Sequence, residues 1–202
     1  AETPFKKVLK NFRGQKCPPK NFITATKTRN GGNMAKVVSF TNKKGGVGKT
    51  TTVVNMAAYC ADFGKRILLI DLDSQGNATT GLGFSKSALK KSVYNVLIED
   101  EKVSANILPT QLPLLDILPA NVDLTGAEVE LVYKRNRDRI LKTALEEVKD
   151  RYDYIFIDCP PSLGLLTINA WAASDSLIIP LQSEYYALEG VSQLMNTISM
   201  VK

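Results

Sequence analysis

The stretch that decides the fold is residues 43–51, KKGGVGKTT, in which three glycines lead into a lysine and two threonines. A short β-branched and aromatic run, VVSF at residues 37–40, precedes it and predicts a strand. A helical pattern follows over residues 50–63 and ends at Gly64, a residue type that commonly terminates helices. A glycine-rich loop between a strand and a helix is the setting of a phosphate-binding loop, because backbone N–H groups and the helix N-terminus can surround an anion.

The side chains of this loop have distinct expected roles. Lys49 can reach the β- and γ-phosphates of a bound nucleotide, and the Thr50 hydroxyl suits Mg²⁺, which prefers hard oxygen ligands. The strict G-x-x-x-x-G-K-[ST] pattern fails at one position, because Lys43 stands where the first glycine belongs. A glycine-rich turn with incidental lysines is the alternative, but the agreement of strand, loop and helix favours phosphate binding. The predicted nucleotide-binding residues are Lys44, Gly45, Gly46, Val47, Gly48, Lys49, Thr50 and Thr51.

The rest of the sequence alternates between strand and helix patterns. The predicted strands are residues 67–70, 114–118, 154–157 and 177–181, and the further predicted helices are residues 140–148 and 163–173. Most of the strands are continuous apolar runs, which is typical of strands buried on both faces. Together with the phosphate-binding loop, this alternation predicts an α/β fold of the P-loop NTPase type, with a mostly parallel sheet flanked by helices.

An apolar stripe at helical spacing covers residues 188–198 and continues to Lys202 without a helix-ending signal. In an α/β sheet such a helix normally leads to another strand. We therefore expect the C-terminal part of the fold to be missing from this sequence.

The charge of the chain is unevenly distributed. The formal net charge is +6, but residues 1–33 contain eight Lys or Arg side chains and one Glu, a net charge of +7. The remaining 18 basic and 19 acidic residues leave −1, so the body is not expected to bind nucleic acid through net charge. Proline and glycine clusters predict an irregular extension over residues 1–33. Either it precedes a natural start at Met34, or it is an arm that binds nucleic acid or acidic lipid.

The composition excludes several kinds of chemistry. The chain has no histidine, which excludes histidine-based zinc sites and Ser-His or Cys-His catalysis. Its cysteines, Cys17, Cys60 and Cys159, are widely spaced and form no C-x-x-C pair. This spacing provides no disulfide or metal framework and is typical of a reducing compartment. No apolar run approaches the roughly 18 residues that a transmembrane helix needs.

Three carboxylates follow predicted strands. Asp158 ends one apolar run, and Asp71 and Asp73 follow another. Because α/β proteins bind ligands at the carboxyl edge of the sheet, these side chains are expected near the phosphate-binding loop. Asp158 is the candidate for holding Mg²⁺, directly or through water, with an ordinary loop aspartate as the alternative. For Asp71 and Asp73, the alternative is a helix or turn cap.

Four separated stretches resemble one family. Residues 44–50, KGGVGKT, resemble the deviant Walker A motif of the ParA/MinD family of ATPases, and Lys44 matches its additional signature lysine. Residues 71–79, 117–128 and 158–164 resemble the ParA/Soj branch of that family. The resemblance covers residues 34–202, which are therefore expected to form a deviant Walker A ATPase domain. It does not cover the basic extension.

The sequence departs from the family pattern at two positions. Lys43 stands where glutamine or glycine is usual and adds charge beside the phosphates. Ser74 stands where proline is usual and is expected to loosen the loop after Asp73.

The resemblance implies an enzyme that hydrolyses ATP to ADP and phosphate with Mg²⁺. Lys44 would reach across a dimer interface to the partner's nucleotide, and Asp73 would position the attacking water. Asp71 would support the magnesium site. The implied catalytic residues are Lys44, Lys49 and Asp73, and the implied metal-site residues are Thr50, Asp158 and Asp71.

The resemblance also implies partners. Two subunits would form a homodimer with ATP, a ParB-like protein would stimulate hydrolysis, and non-specific DNA would bind through regions beyond residue 202. The implied process is chromosome or plasmid segregation in the cytoplasm, in association with the nucleoid and without a membrane.

Three other functions match parts of the pattern. An electron donor like nitrogenase iron protein shares the loop but needs cluster-binding cysteines, and none lies between Cys60 and Cys159. A MinD-like membrane switch is disfavoured by the SQGN stretch at residues 74–77. The remaining alternative is a protein of this family that no longer hydrolyses ATP. Measured ATP turnover would distinguish it from an ATP-hydrolysing switch.

Overall fold

The computed structural model describes residues 34–181 and 197–199. Its strands are β1 (Lys36–Phe40), β2 (Ile67–Asp71), β3 (Leu108–Pro109), β4 (Leu115–Leu118), β5 (Tyr154–Asp158) and β6 (Ser176–Ile178). They form one sheet in the order β3-β4-β2-β5-β1-β6, and every neighbouring pair is parallel except β3 with β4. The predicted α/β fold with a mostly parallel sheet is confirmed.

Helices connect the strands and flank the sheet. The α-helices in the described part of the chain are α1 (Lys49–Asp62), α2 (Asn77–Gly81), α3 (Val93–Ile98), α4 (Val103–Asn106), α5 (Leu124–Glu130), α6 (Ile140–Leu145) and α7 (Leu165–Ala173). A short 3₁₀ helix, Leu131–Tyr133, follows α5. Helix α1 ends close to its predicted limit, where Gly64 takes a φ of 78° and its N–H donates to the Ala61 carbonyl at 2.9 Å.

The sheet separates two apolar clusters. Strand β2 is buried throughout, and its side chains alternate between the two faces. Leu68 and Ile70 belong to the larger cluster, which includes Trp171 of α7. Ile67 and Leu69 belong to the smaller cluster, which α1 covers. Burial on both faces explains why this strand is a continuous apolar run rather than an alternating one.

Four elements are shorter than their sequence patterns predict. The helix expected over residues 140–148 ends at Leu145, and the strand expected over residues 114–118 begins at Leu115. The strand expected over residues 177–181 ends at Ile178, whose carbonyl accepts the Thr41 N–H at 3.0 Å. Pro180 follows closely and has no N–H to donate to a ladder. The helix expected from residue 163 begins at Leu165, because Gly164 has an extended backbone and acts as its N-cap.

Two predictions concern residues mostly outside the described ranges. The basic extension over residues 1–33 lies outside them entirely. Of the helix expected over residues 188–198, only the end is described: residues 197–199 are helical, and Ile198 packs against the larger cluster. Across the described residues, no helix combines the length and apolar character needed to cross a membrane.

Candidate functional site

Three strand ends meet at the carboxyl edge of the sheet. In the strand register, Asp158 at the end of β5 lies opposite Phe40 of β1 on one side and opposite Asp71 of β2 on the other. The Cys159 N–H donates to the Phe40 carbonyl at 3.1 Å, and the Leu72 N–H donates to the Asp158 carbonyl at 3.0 Å. Because the glycine-rich loop follows β1, the fold brings that loop and the two predicted metal-site carboxylates together.

Asn42 braces the start of the glycine-rich loop. Its side-chain oxygen accepts the Lys44 N–H at 2.9 Å, and its side-chain amide donates to the Pro180 carbonyl at 2.8 Å. The first contact is an Asx turn, which replaces a backbone turn with a side chain. The loop is thereby fixed to the chain that follows β6.

Gly48 completes the loop and begins helix α1. Its backbone is left-handed, with φ 85° and ψ 21°, and its carbonyl accepts the Thr52 N–H at 2.8 Å. A side chain at this position would be strained even though there is open space around it. Among the predicted loop residues, Lys44, Gly45, Gly46 and Thr51 are exposed, Val47, Gly48 and Thr50 are half-buried, and Lys49 is buried.

Lys49 is the buried cation of the loop, with an exposed fraction of 7%. Its Nζ donates to the Lys44 carbonyl at 3.3 Å, so the ammonium group folds back along the loop. A lysine at the start of a helix, beneath a loop of backbone N–H groups, provides the charge that a phosphate group requires.

Asp158 has an unusual environment for a carboxylate. Both of its oxygens are buried, and neither makes a hydrogen bond of good geometry in the described structure, although the Thr50 side chain lies close by. Burial and repulsion from Asp71 raise the pKa of Asp158 to about 7, and the Thr50 side chain and Lys49 offset this rise only in part. Because an unpartnered buried charge is costly, this position favours a bound cation.

Asp71 is buried but fully hydrogen-bonded. Its Oδ2 accepts the backbone N–H and the hydroxyl of Thr79 at 2.8 and 2.7 Å, and its Oδ1 accepts the Asp73 N–H at 3.2 Å. Burial raises the pKa of Asp71 to about 6, and the hydrogen bonds from Thr79 pull it down in part. These hydrogen bonds link Asp71 at the end of β2 to the start of α2, and its predicted supporting role near magnesium stays a prediction.

Asp73 lies in the turn that follows. Its exposed fraction is 9%, its Oδ1 accepts the Gln75 N–H at 2.9 Å and its carbonyl accepts the Gly76 N–H at 2.8 Å. The side chain is thus held in a tight turn beside the strand end that bears Asp71. Its predicted role in positioning water stays a prediction.

The available oxygen atoms fit a magnesium site. The unpartnered oxygens of Asp158 and the nearby hydroxyl of Thr50 are the hard donors that Mg²⁺ prefers. The described residues contain no group of three or more His, Cys, Asp or Glu side chains that could hold a metal alone. This is compatible with Mg²⁺, which usually keeps water and phosphate ligands. Because the Asp71 oxygens already accept three hydrogen bonds, Asp158 fits the metal role better.

Three residues that support the site were not singled out in the sequence analysis. Asn42 could have been found, because an Asn close to the end of a strand commonly forms an Asx turn. Thr79 and Glu128 lie in stretches that resemble the family, but the sequence does not show their contacts with Ala120 and Leu165, which are 41 and 37 positions away. The Glu128 carboxylate accepts the N–H groups of Leu165 and Leu166 at 2.8 and 3.3 Å and so caps α7.

Comparisons with known proteins agree with these motifs. The family described as AAA domain matches residues 35–202. The sporulation initiation inhibitor protein Soj of Bacillus subtilis is 57% identical over 169 residues, which cover 84% of this chain and 67% of that protein. The chain belongs to the ParA/Soj branch of the ParA/MinD family. The chromosome partitioning protein ParA of Myxococcus xanthus is 53% identical over 84% of this chain. The chain spans 60% of that ParA protein's length.

Solved structures of similar fold agree with the ParA/Soj assignment. Cobyrinic acid a,c-diamide synthase from Mycobacterium smegmatis, with bound ADP and magnesium, is 45% identical with a TM-score of 0.79. The match covers 83% of this chain and 68% of that one. A plasmid partition protein from Borrelia burgdorferi is 28% identical with a TM-score of 0.75, covering 84% of this chain and 74% of that one. The expected P-loop fold is therefore confirmed.

Proposed function

We propose that this chain is an ATP-binding and ATP-hydrolysing dimerisation switch of the ParA/Soj type. The observation that carries the proposal is the position of the unpartnered carboxylate of Asp158 on the strand next to the one that leads to the buried Lys49. A cation site beside a phosphate-binding loop is the arrangement that a magnesium nucleotide requires. The ADP and magnesium bound to the Mycobacterium smegmatis relative support this choice of ligand.

Binding would use the loop and the start of α1. Lys49 would turn from the Lys44 carbonyl toward the β- and γ-phosphates, and backbone N–H groups of the loop would donate to phosphate oxygens. Thr50 and Asp158 would hold Mg²⁺, with Asp158 acting directly or through water. When bound, the ion would neutralise part of the phosphate charge.

Hydrolysis would depend on Asp73. Phosphoryl transfer to water needs an oriented nucleophile and charge neutralisation rather than a covalent intermediate. The Asp73 carboxylate would accept a hydrogen bond from the attacking water, and the tight turn around it limits its motion.

Dimerisation would use Lys44, which is exposed at the start of the loop. It would contact the nucleotide of the partner subunit, so that ATP binding and dimer formation are coupled. We further propose a ParB-like partner, non-specific DNA and a role in chromosome or plasmid segregation at the nucleoid. The partitioning relatives from Myxococcus xanthus and Borrelia burgdorferi support that process.

Two variants of the full-length protein separate binding, dimerisation and hydrolysis. Lys44→Ala should keep ATP affinity but fail to form dimers with ATP and Mg²⁺. Asp73→Ala should keep the dimer but slow phosphate release by about 10²-fold, the usual scale for losing a positioned proton acceptor. Gel filtration with ATP and Mg²⁺, run beside a phosphate-release assay, measures both effects. Dimers of Lys44→Ala would contradict the coupling, and normal hydrolysis by Asp73→Ala would move the water-positioning role elsewhere.

A further inference from the structure

The loop that carries Asp73 is closed by a buried hydrogen-bond network centred on Thr79. The Thr79 hydroxyl donates to Asp71 Oδ2 at 2.7 Å and accepts the Ala120 N–H at 3.0 Å. The Thr79 backbone N–H donates to the same Asp71 oxygen at 2.8 Å. Thr79, Asp71 and Ala120 are all fully buried. A single hydroxyl therefore joins the end of β2, the start of α2 and the chain after β4.

The network of Thr79, Asp71 and Ala120 is connected to Asp73 on both its N-terminal and its C-terminal side. On the N-terminal side, Asp71 Oδ1 accepts the Asp73 N–H at 3.2 Å. On the C-terminal side, the turn from Asp73 to Gly76 leads directly into α2, whose third residue is Thr79. The segment between Asp71 and Thr79 is thus a closed loop. Its two ends are fastened to each other, and Asp73 lies inside it.

The hydroxyl of Thr79 has a role that an apolar side chain cannot replace. A hydroxyl donates one hydrogen bond and accepts others, and here it does both at once. Removing it would leave the Ala120 N–H without this acceptor and take one donor from Asp71, so the loop would lose its attachment to the β4 side. The Thr79 amide and hydroxyl bond to Asp71 and Ala120 rather than to phosphate-binding groups, so nucleotide binding should not depend on Thr79.

We propose that Thr79 is a positioning residue for hydrolysis, which acts by holding the loop that carries Asp73. The inference rests on the proposed function, because it assumes that Asp73 positions the attacking water. It assigns to Thr79 an effect on the rate of turnover rather than on ATP binding.

Steady-state ATP hydrolysis by the full-length protein tests this assignment. Thr79→Val removes the hydroxyl at nearly constant volume and should lower kcat about 10-fold to 100-fold, since small misplacements of a catalytic group have effects of this size. The KM for ATP should stay within about 3-fold, because an interaction used only in turnover changes kcat and not binding. Thr79→Ser keeps the hydroxyl and should restore kcat to within about 3-fold of the wild type.

The neighbouring threonine provides the matched control. The Thr80 hydroxyl donates only to carbonyls of its own turn, Gly76 at 3.0 Å and Asn77 at 3.2 Å, and the residue is exposed. Thr80→Val should therefore leave kcat and KM unchanged. If Thr79→Val does not fold, Thr79→Ala removes the same hydroxyl without adding a methyl group, and the same results are expected.

A double variant tests whether Thr79 acts through Asp73. If it does, Thr79→Val should slow the Asp73→Ala protein no further, because both changes remove the same function. A wild-type kcat for Thr79→Val would overturn the inference, as would an equal loss in the Ser variant or a further loss in the double variant. Wild-type protein that binds ATP but does not hydrolyse it, with or without DNA, would overturn the proposed function itself.

Discussion

The two loops at the carboxyl edge of the sheet, residues 43–51 and 71–79, are built in opposite ways. In the glycine-rich loop, no heavy atom lies within 4 Å of the place where a Cβ would stand on Gly45, Gly46 or Gly48. In the loop over residues 71–79, buried side chains close the segment on itself, and a Cβ on Gly76 would come within 3.0 Å of the Lys86 side chain. The first loop leaves room beside its backbone, whereas the second is already packed.

This difference separates binding from turnover. A loop shaped by its backbone and surrounded by open space gains its contacts when a ligand arrives, so changes there should act on affinity. A loop fixed by buried hydrogen bonds is organised before the ligand arrives, so changes there should act on stability or on rate. Variants of the two loops should therefore differ in the quantity that changes, which is ATP affinity for the first loop and stability or turnover rate for the second.

The largest expected effect is the loss of ATP affinity in Lys49→Ala. The substitution removes the buried charge that we propose turns toward the phosphates, and a hydrogen bond to a charged group contributes up to about 3 kcal/mol. The dissociation constant for ATP should rise about 100-fold, measured by calorimetry with Mg²⁺. Lys43→Ala is the matched control, because Lys43 is exposed on the same loop and its loss should change affinity by less than about 10-fold. An unchanged affinity in Lys49→Ala would show that the loop does not bind phosphate.

The first loop was predictable from the sequence, whereas the support of the second was not. A strand, three glycines, a lysine and a helix are adjacent in the chain, so their pattern is complete within residues 37–63. The hydrogen bond between Thr79 and Ala120 joins residues 41 positions apart, and the one between Glu128 and Leu165 joins residues 37 positions apart. Contacts of that kind depend on how the helices pack on the sheet, which no local pattern encodes.

The carboxylates show a similar division. That Asp158 and Asp71 lie at one sheet edge followed from two apolar runs that each end in an aspartate. Which of them keeps its oxygens unpartnered depends on the donors nearby, and for Asp71 these come from Asp73 and Thr79 of the loop that follows β2, whose folded path no periodic pattern encodes. The end of the short strand β6 could not be predicted from its apolar run either. It depends on Pro180 and on the path that the chain takes away from the sheet.

A medium effect on stability is expected at Asp158. Its pKa in the folded chain is raised to about 7 from an ordinary value of 3.8, so the folded state binds more protons than the unfolded state between these pH values. The free energy of unfolding of the nucleotide-free protein should therefore fall as pH rises from about 4 to about 7, and the penalty should be complete above pH 7. Asp158→Asn should remove much of this slope and stabilise the nucleotide-free protein at pH 8 by about 1 to 3 kcal/mol.

Urea unfolding at pH 5 and pH 8 without Mg²⁺ measures this effect. Asp153→Asn is a control at another carboxylate, one that is hydrogen-bonded to the Arg66 N–H at 2.8 Å and partly exposed. It should be neutral or destabilising at pH 8, because it weakens an existing contact. Destabilisation by Asp158→Asn at pH 8 would indicate that this carboxylate has a compensating partner and does not favour a cation.

The smallest expected effect concerns Gly164. In contrast to the glycines of the glycine-rich loop, Gly164 has neighbouring atoms where a Cβ would stand. A Cβ at this position would overlap the Glu128 carboxylate, which accepts the Leu165 N–H at 2.8 Å. Gly164→Ala should force Glu128 away from the start of α7 and reduce the free energy of unfolding by about 1 kcal/mol, the typical contribution of a helix cap. Gly126→Ala is the control, because its Cβ would meet only the exposed carboxylate of Glu130, which bonds no helix N–H but the Tyr94 hydroxyl. Alanine favours helices, so this variant should be neutral or stabilising.

The double variant Gly164→Ala with Glu128→Ala shows whether this overlap is the cause of the destabilisation. Once the Glu128 carboxylate is gone, the added methyl group has nothing to displace, so the double variant should be as stable as Glu128→Ala alone. Urea midpoints of the three variants, measured without nucleotide, give the comparison. If the two losses instead add in full, Gly164 is needed for its backbone and not for the room that it leaves. The start of α7 would then depend on the backbone conformation of a glycine, as the glycine-rich loop does. The contrast between open and packed loops would hold only for residues 71–79, the segment that Thr79 closes.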